Sequence, residues 1–147
     1  MISFNKESKI FHLKTKNTSY VFGALERGYL IHLYWGKAID GADSWGQYHA
    51  VYARSLATRS QGINGSADVM RMEYSTYGST DLRTPAFNCV FDDGSSIPKL
   101  LYVSHSIVDS KPALKGLPAT YAESGDKVQT LEVELADERK NLHVFLS

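Results

Sequence analysis

Residues 73–121 read EYSTYGSTDLRTPAFNCVFDDGSSIPKLLYVSHSIVDSKPALKGLPATY and carry the most distinctive pattern of the 147-residue chain. Two runs within them, at residues 86–91 and 99–109, are rich in β-branched and aromatic residues, as strands are. The segment DDG at residues 92–94 separates the two runs and is typical of a tight hairpin turn. We therefore predict two antiparallel strands joined at this turn.

A compact motif, GSTDLR at residues 78–83, precedes the predicted hairpin. On a strand, Asp81 and Arg83 are two residues apart and point to the same face, so they can pair or hold a common partner. Gly78 is suited to an unusual backbone angle. Two interpretations stay open: the pair locks a bend at the rim of the sheet, or it faces a neighbouring domain or subunit.

The rest of the chain is a series of short strand-like runs separated by polar turns, with almost no helical periodicity. The runs lie at residues 10–13, 19–25, 28–37, 69–72, 127–135 and 142–146. In the fifth run, alternation predicts an inward set made up of Val128, Leu131, Val133 and Leu135. Roughly nine to twelve short strands in all indicate an all-β fold, an antiparallel β-sandwich.

The run at residues 28–37 is apolar on both faces, which predicts a strand covered on both sides. One face carries Tyr29, Ile31, Leu33 and Trp35, and the other carries Leu30, His32 and Tyr34. We therefore interpret His32 as a buried, hydrogen-bonded histidine rather than a metal ligand.

Residues 37–68 interrupt the strand pattern. Gly, Ser, Asp and Ala dominate there, with a short helix possible at residues 48–56, and an irregular segment of this length in a compact domain is either functional or mobile. Asp43, Trp45 and Arg54 are its candidate contact residues. The plainer interpretation is that they pack on their own domain.

Composition excludes several classes of function. Sixteen basic residues balance sixteen acidic ones, which argues against a nucleic-acid partner because phosphate binding needs a basic surface. No apolar run is long enough to span a bilayer, and the first residues lack the apolar core of a signal peptide, so we expect no membrane partner. The single cysteine, Cys89, cannot form an internal disulfide, and a cytoplasmic location fits all of this.

Chemistry-bearing side chains do not form a recognisable active site in this sequence. The five histidines lack the paired spacing of zinc ligands, and no glycine-rich phosphate loop is present. Ser104, His105 and Ser106 lie in a strand pattern, where neighbouring side chains alternate faces. The carboxylates are explained as turn formers or as solvated strand faces. We therefore predict no catalytic, metal-binding or cofactor-binding residues, and no cofactor.

The motif order EY-x-x-YG-x-TD-x-R-x-PA, then DGS, then KP-x-L-x-GLPATY resembles the N-terminal domain of glycoside hydrolase family 36, the bacterial-type α-galactosidases. The run GYLIHLYWGK at residues 28–37 is similar to an early strand of the same family. The resemblance implies that residues 1–147 form a supersandwich-like N-terminal domain that precedes a (β/α)₈ barrel, on which the two catalytic aspartates of the family lie.

The strand pattern at the end of the chain continues to Leu146, one residue before Ser147. Natural termini usually trail off in polar, disordered residues. We therefore expect the chain to be a piece of a larger multidomain protein, truncated before the barrel.

Two functions remain open. The first is a non-catalytic accessory domain of an α-galactosidase, a retaining hydrolase of terminal α-galactosyl residues. By the resemblance, it would support its own barrel and the assembly of a homo-oligomer, a tetramer, and would meet the galactoside only through the parent enzyme. The alternative is a free-standing carbohydrate-binding module that stacks sugars on Trp35, Trp45 and nearby tyrosines. A module exposes its aromatic side chains on one surface, whereas an accessory domain buries most of them.

The resemblance also implies that this domain reaches the active-site mouth of a neighbouring subunit through residues 37–68. A galactose pocket needs an apolar ring face, which Trp45 can supply, and polar groups, which Asp43 and Arg54 can supply. We expect each single alanine substitution in the full-length tetramer to weaken transition-state binding by about 1–3 kcal/mol, measured as kcat/KM. Wild-type values for all three variants would remove these residues from the site.

Overall fold

In a computed structural model of the chain, the described residues are 1–42, 70–81, 83–112, 115–116, 122–123 and 125–147. They contain seven strands in two antiparallel sheets and no α-helix, so the predicted all-β sandwich is confirmed. In this part of the chain, no helix has the length and apolar character needed to cross a bilayer. Asp43, Trp45, Arg54 and the possible helix at 48–56 lie outside the described residues.

The first sheet is a four-stranded meander in which each strand pairs with the next. Its strands are β1 (Ile2–Asn5), β2 (Ile10–Lys14), β3 (Thr18–Ala24) and β4 (Leu30–Lys37). Short polar turns make this order possible. For example, the Asn5 side chain accepts the backbone N–H groups of Glu7 and Ser8 at 2.9 and 3.1 Å and closes the first turn.

The second sheet has three strands: β5 (Leu101–Val108), β6 (Thr130–Asp137) and β7 (Leu142–Leu146). A 3₁₀ turn, Glu138–Lys140, joins the last two strands and is capped by the Asp137 carboxylate, which accepts the Arg139 backbone N–H at 3.1 Å.

The core lies between the sheets, where the inward sides of the strands meet. Its buried members are Phe11, Phe22, Ala24, Leu30, Leu100, Leu131, Val133 and Leu135. The β6 members of this set confirm the inward alternation predicted for residues 127–135. Two smaller clusters cover the other face of the first sheet, one around Ile10 and Val21 and one around Tyr29 and Ile31.

Several strand predictions are wrong. Residues 86–91 form no strand: Phe87 makes one isolated bridge to Thr76, and the DDG segment closes a local turn in which Phe91 N–H donates to the Ser95 carbonyl at 2.8 Å. Residues 69–72 contribute one bridge, from Met72 to Ile31, within the described part. Strand β1 was not predicted, because its few residues alternate too briefly to stand out from sequence alone.

Strand β4 is covered on both sides over its first half only. Leu30 and Ile31 are buried, but Trp35 is 76% exposed, so the prediction that the whole strand is covered is wrong. Residues 71–73 run beside the start of β4, where His32 N–H donates to the Arg71 carbonyl and Glu73 N–H to the Leu30 carbonyl. Trp35 pairs with Tyr20 of β3, but on the edge of β4 where residues 71–73 lie, no described residue pairs with it.

One polar contact fixes the turn before β4 onto the second sheet, and another fixes the entry to β5 onto the end of β6 within the second sheet. Gly28, with φ +87°, accepts the Tyr102 backbone N–H through its carbonyl at 2.7 Å. Asp137, 2% exposed, accepts the Lys99 backbone N–H at 2.8 Å and holds the Arg139 guanidinium. That hydrogen-bonded guanidinium is the main cause that lowers the pKa of the Asp137 carboxyl.

Replacement of Gly28 by alanine is expected to destabilise the fold by about 1–3 kcal/mol, measured as the free energy of urea unfolding. The new Cβ would lie 3.1 Å from the Leu101 Cβ and 3.3 Å from the Tyr102 nitrogen, in a left-handed backbone conformation. Gly94→Ala is the matched control, because Gly94 also has a positive φ (+78°) but has nothing within 4 Å of the new Cβ among the described residues. If both variants lose the same free energy of unfolding, the close approach of Gly28 to Leu101 and Tyr102 is not the cause.

Candidate functional site

A cleft of about 600 Å³ opens between the two sheets. Its walls are mainly aliphatic and aromatic and include Leu13, Phe22 and Leu30 from the first sheet and Leu131, Val133 and Leu146 from the second. The volume suits a small ligand, but specific small-molecule sites also need a few convergent polar groups. Here the walls continue the core outward, which is typical of a surface that packs against other polypeptide.

Glu73 is the notable polar group of this cleft. Its backbone is paired with the start of β4, and its side chain, 17% exposed, turns into the cleft. The Oε2 atom is buried and has no hydrogen-bond partner among the described residues. His32 Nδ1 lies 3.5 Å away, beyond a normal hydrogen bond.

Burial works against the charged form of both members of this pair. It raises the pKa of the Glu73 carboxyl from 4.5 to about 7. It also lowers the pKa of His32, with a smaller contribution from the positive charge of Arg71. The pair is therefore not an ion pair at neutral pH, and His32 is half-buried rather than fully buried as predicted.

Retaining glycoside hydrolysis needs two carboxyl groups about 5 Å apart that work on one bond. Glu132 also lines the cleft, but it is exposed and accepts a hydrogen bond from Ser106 Oγ at 3.2 Å. The Glu73 Oε2 atom is therefore buried whereas Glu132 is exposed. In the described part of the chain, no hydrogen bond or ion pair joins these two carboxyl groups.

The described residues of the GSTDLR motif, 78–81 and 83, form a turn and not a strand. Asp81 Oδ1 accepts the Arg83 backbone N–H at 2.7 Å and lies 3.4 Å from its Nε, and these contacts, led by the backbone one, lower the pKa of Asp81. Gly78 has φ +74° and packs on Ile97, so the predicted unusual backbone angle is confirmed. The Arg83 side chain itself is 79% exposed.

Two buried threonines hold this turn, and sequence reasoning missed both. Thr76, 2% exposed, donates its backbone N–H to Thr80 Oγ1 at 2.9 Å, and its carbonyl accepts the Asp81 backbone N–H at 3.1 Å. Thr80 is 7% exposed. A threonine pair four residues apart inside a Gly- and Ser-rich motif was the available signal, since such side chains bond to nearby backbone in turns.

The outer face of the second sheet carries a hydrogen-bonded polar row. Ser104 Oγ donates to Glu134 Oε2 at 2.7 Å, and His143 Nδ1 lies 2.8 Å from Glu134 Oε1. The carboxylate stands between the serine and the histidine, whereas a nucleophilic triad needs the histidine in the middle. His105 points the other way and packs against Phe11, as the alternation between neighbouring side chains predicted.

In the described part of the chain, the exposed aromatic side chains lie on different elements of the fold. Those exposed in the described part are Trp35 on β4, Phe145 on β7 and Tyr77 in the motif turn. Stacking platforms for sugars need several aromatic rings presented together. This dispersion is expected of an accessory domain rather than of a sugar-binding module.

Comparison with known proteins identifies the family. The sequence model of the glycosyl hydrolase family 36 N-terminal domain matches residues 28–147. This chain belongs to that family. The α-galactosidase AgaA of Geobacillus stearothermophilus is 36% identical over 148 aligned residues, which cover 99% of this chain and 20% of that protein.

Solved structures give the same assignment. The α-galactosidase AgaB from Geobacillus stearothermophilus matches with a TM-score of 0.82 at 36% identity, over 99% of this chain and 20% of that one. An AgaA variant from the same organism, in complex with raffinose, matches with a TM-score of 0.78 at 35% identity, over 93% and 19% of the two chains. This family 36 domain thus spans about a fifth of the relatives that it matches, and the resemblance read from the motifs is confirmed.

The turn at residues 78–83 has two interpretations that can be tested: a lock within the domain, or a contact with a neighbouring domain or subunit. Thr80→Val is expected to cost about 1–3 kcal/mol of unfolding free energy, because the buried Thr76 N–H loses its acceptor. Thr84→Val, at an exposed position of the same segment, is the matched control.

Arg83→Ala should leave the unfolding free energy of the chain close to the wild-type value, because the side chain is largely exposed. A change in subunit assembly of the full-length protein without a change in domain stability would assign Arg83 to an interface. A destabilised domain would assign it to the turn instead.

Proposed function

We propose that this chain is the non-catalytic N-terminal accessory domain of an α-galactosidase, a retaining enzyme that removes terminal α-galactosyl residues. In this proposal residues 1–147 act as one β-sandwich domain of a cytoplasmic enzyme. The domain supports the catalytic barrel and the assembly of subunits into a homo-oligomer, a tetramer. It meets the galactoside only as part of the whole enzyme.

The observation that carries the proposal is the apolar cleft between the sheets. Its walls include Leu13, Phe22 and Leu131, side chains that gain free energy when covered by other polypeptide, at roughly 25 cal/mol per Å² of apolar surface removed from water. Several polar residues of the cleft are already bonded within the domain: Gln129 to Ile2 and Asp109, Thr130 to Ser110, and Glu132 to Ser106. Glu73 Oε2 is buried without a hydrogen-bond partner among the described residues. A supporting domain accounts for this surface better than a catalytic one.

The relatives support the substrate class. They are α-galactosidases, and one of them was solved with raffinose bound. We carry the galactoside over to the parent of this chain and not to the chain itself, because the matched region is a fifth of each relative.

Asp43, Trp45 and Arg54 remain our proposed contacts to the active site of a neighbouring subunit, on the basis of the resemblance alone. The alternative sugar-binding module is less favoured because Trp35 and Phe145 lie on different sheets. Trp35, at 76% exposure, is nonetheless the side chain through which that alternative can be tested.

The chain alone is expected to release no chromophore from a nitrophenyl α-galactoside and to show no heat of binding with raffinose in calorimetry. The physical reason is that neither a carboxyl pair nor an aromatic platform is assembled in the part of the chain that the structure describes. The full-length enzyme serves as the positive control in both measurements.

Turnover that rises with protein concentration and survives repurification would overturn the non-catalytic assignment. Raffinose binding that is lost in Trp35→Ala but kept in Phe145→Ala would instead support the module. Both substituted side chains are exposed aromatics in strands, so the two variants are matched in their expected effect on folding.

A further inference from the structure

Residues 71–73 lie along the exposed edge of β4 and are held there by two backbone hydrogen bonds. His32 N–H donates to the Arg71 carbonyl at 2.7 Å, and Glu73 N–H donates to the Leu30 carbonyl at 3.0 Å. Met72 and Ile31 form an antiparallel bridge between them. These two hydrogen bonds define the bridge, and Met70 and Met72 add apolar contacts with the cluster around Tyr29 and Ile31. The attachment is short, so its strength is sensitive to the state of the side chains beside it.

The Glu73 side chain is the part of this attachment that can change charge. Its Oε2 atom is buried and has no hydrogen-bond partner in the described part of the chain. A neutral carboxyl tolerates such a position, whereas a carboxylate there lacks both water and a donor. Ionisation therefore favours any arrangement in which residues 71–73 leave β4 and the carboxylate reaches water.

We propose that Glu73 is a protonation switch: the neutral carboxyl keeps residues 71–73 docked on β4, and its ionisation releases them. The proposal concerns the domain by itself, without the polypeptide that the proposed function places over the cleft that Glu73 lines. It adds a conformational property, a domain edge that loosens as the pH rises.

The groups that face Glu73 from neighbouring elements do not cancel the rise in its pKa. On β4, His32 is kept neutral by burial, and on β3 the Tyr20 ring packs on His32 at a centroid distance of 5.4 Å. Lys111 and Glu132 line the same cleft, and Arg71 acts on His32. Burial is nevertheless the one cause that raises the pKa of Glu73, to about 7, and none of these charges offsets it.

The direction of the pH effect follows from this shift. A folded-state pKa above the unfolded value of 4.5 means that the docked state binds the proton more tightly than the open state. The stability of docking is fully present at low pH. It falls as the pH rises from 4.5 and stops falling above about 7.

Amide hydrogen exchange at several pH values, corrected for the intrinsic exchange rate, tests the switch in the chain. Protection of the His32 and Glu73 amides should fall about tenfold between pH 6 and pH 8, as linkage requires for a pKa that moves from about 7 to 4.5 on opening. Glu73→Gln, which cannot ionise, should remove this fall. Glu7→Gln, at an exposed position, and His32→Asn should both keep it.

The Leu135 amide, at the centre of β6, reports on global unfolding. At pH 8 it must exchange more slowly than the His32 and Glu73 amides. If all three lose protection together, Glu73 changes global stability and is not a local switch. A fall in protection that persists in Glu73→Gln and vanishes in His32→Asn would assign the titration to the histidine and overturn the proposal.

A second measurement needs no substitution. The carbon-13 shift of the Glu73 side-chain carboxyl, followed by NMR in the wild-type chain, should titrate with a midpoint near pH 7. A midpoint near the ordinary value of 4.5 would also overturn the proposal.

Discussion

Packing around Phe11 holds the two sheets together. This ring is fully buried and stacks on Phe22 with centroids 4.7 Å apart, and it meets His105 and Tyr102 of the opposite sheet edge-on at 4.9 and 6.0 Å. Aromatic contacts of this kind add about 0.5–1.5 kcal/mol each beyond the burial of their area. The turn at Gly28, whose carbonyl accepts the Tyr102 backbone N–H of the second sheet, requires the sheets to be held at this spacing.

The same constraint explains where the domain leaves surface open. Side chains on the inward faces that lie beyond the aromatic contacts line the cleft instead of meeting partners across it. Glu73 Oε2 is buried at this margin and has no hydrogen-bond donor among the described residues. The apolar cleft and the protonation-sensitive carboxyl are thus two consequences of one geometry.

Only part of the candidate site could be predicted from the sequence. Asp81 and Arg83 contact one another in a turn and not on one strand face: the Asp81 carboxylate accepts the Arg83 backbone N–H and lies 3.4 Å from Arg83 Nε. Thr76 and Glu73 were missed, because burial of a polar side chain is a property of the neighbours that surround it. Asp43, Trp45 and Arg54 stay predictions, as they lie outside the described residues.

The sequence by itself determined the all-β class, the alternating inward set of β6 and the family, because alternation, turn residues and ordered motifs are local properties of the chain. Only the tertiary structure decided that residues 86–91 form no strand and that Trp35 is exposed while Leu30 is buried. Both outcomes depend on which strand lies alongside and how far it extends. A strand-like run without a partner for its backbone hydrogen bonds does not become a strand.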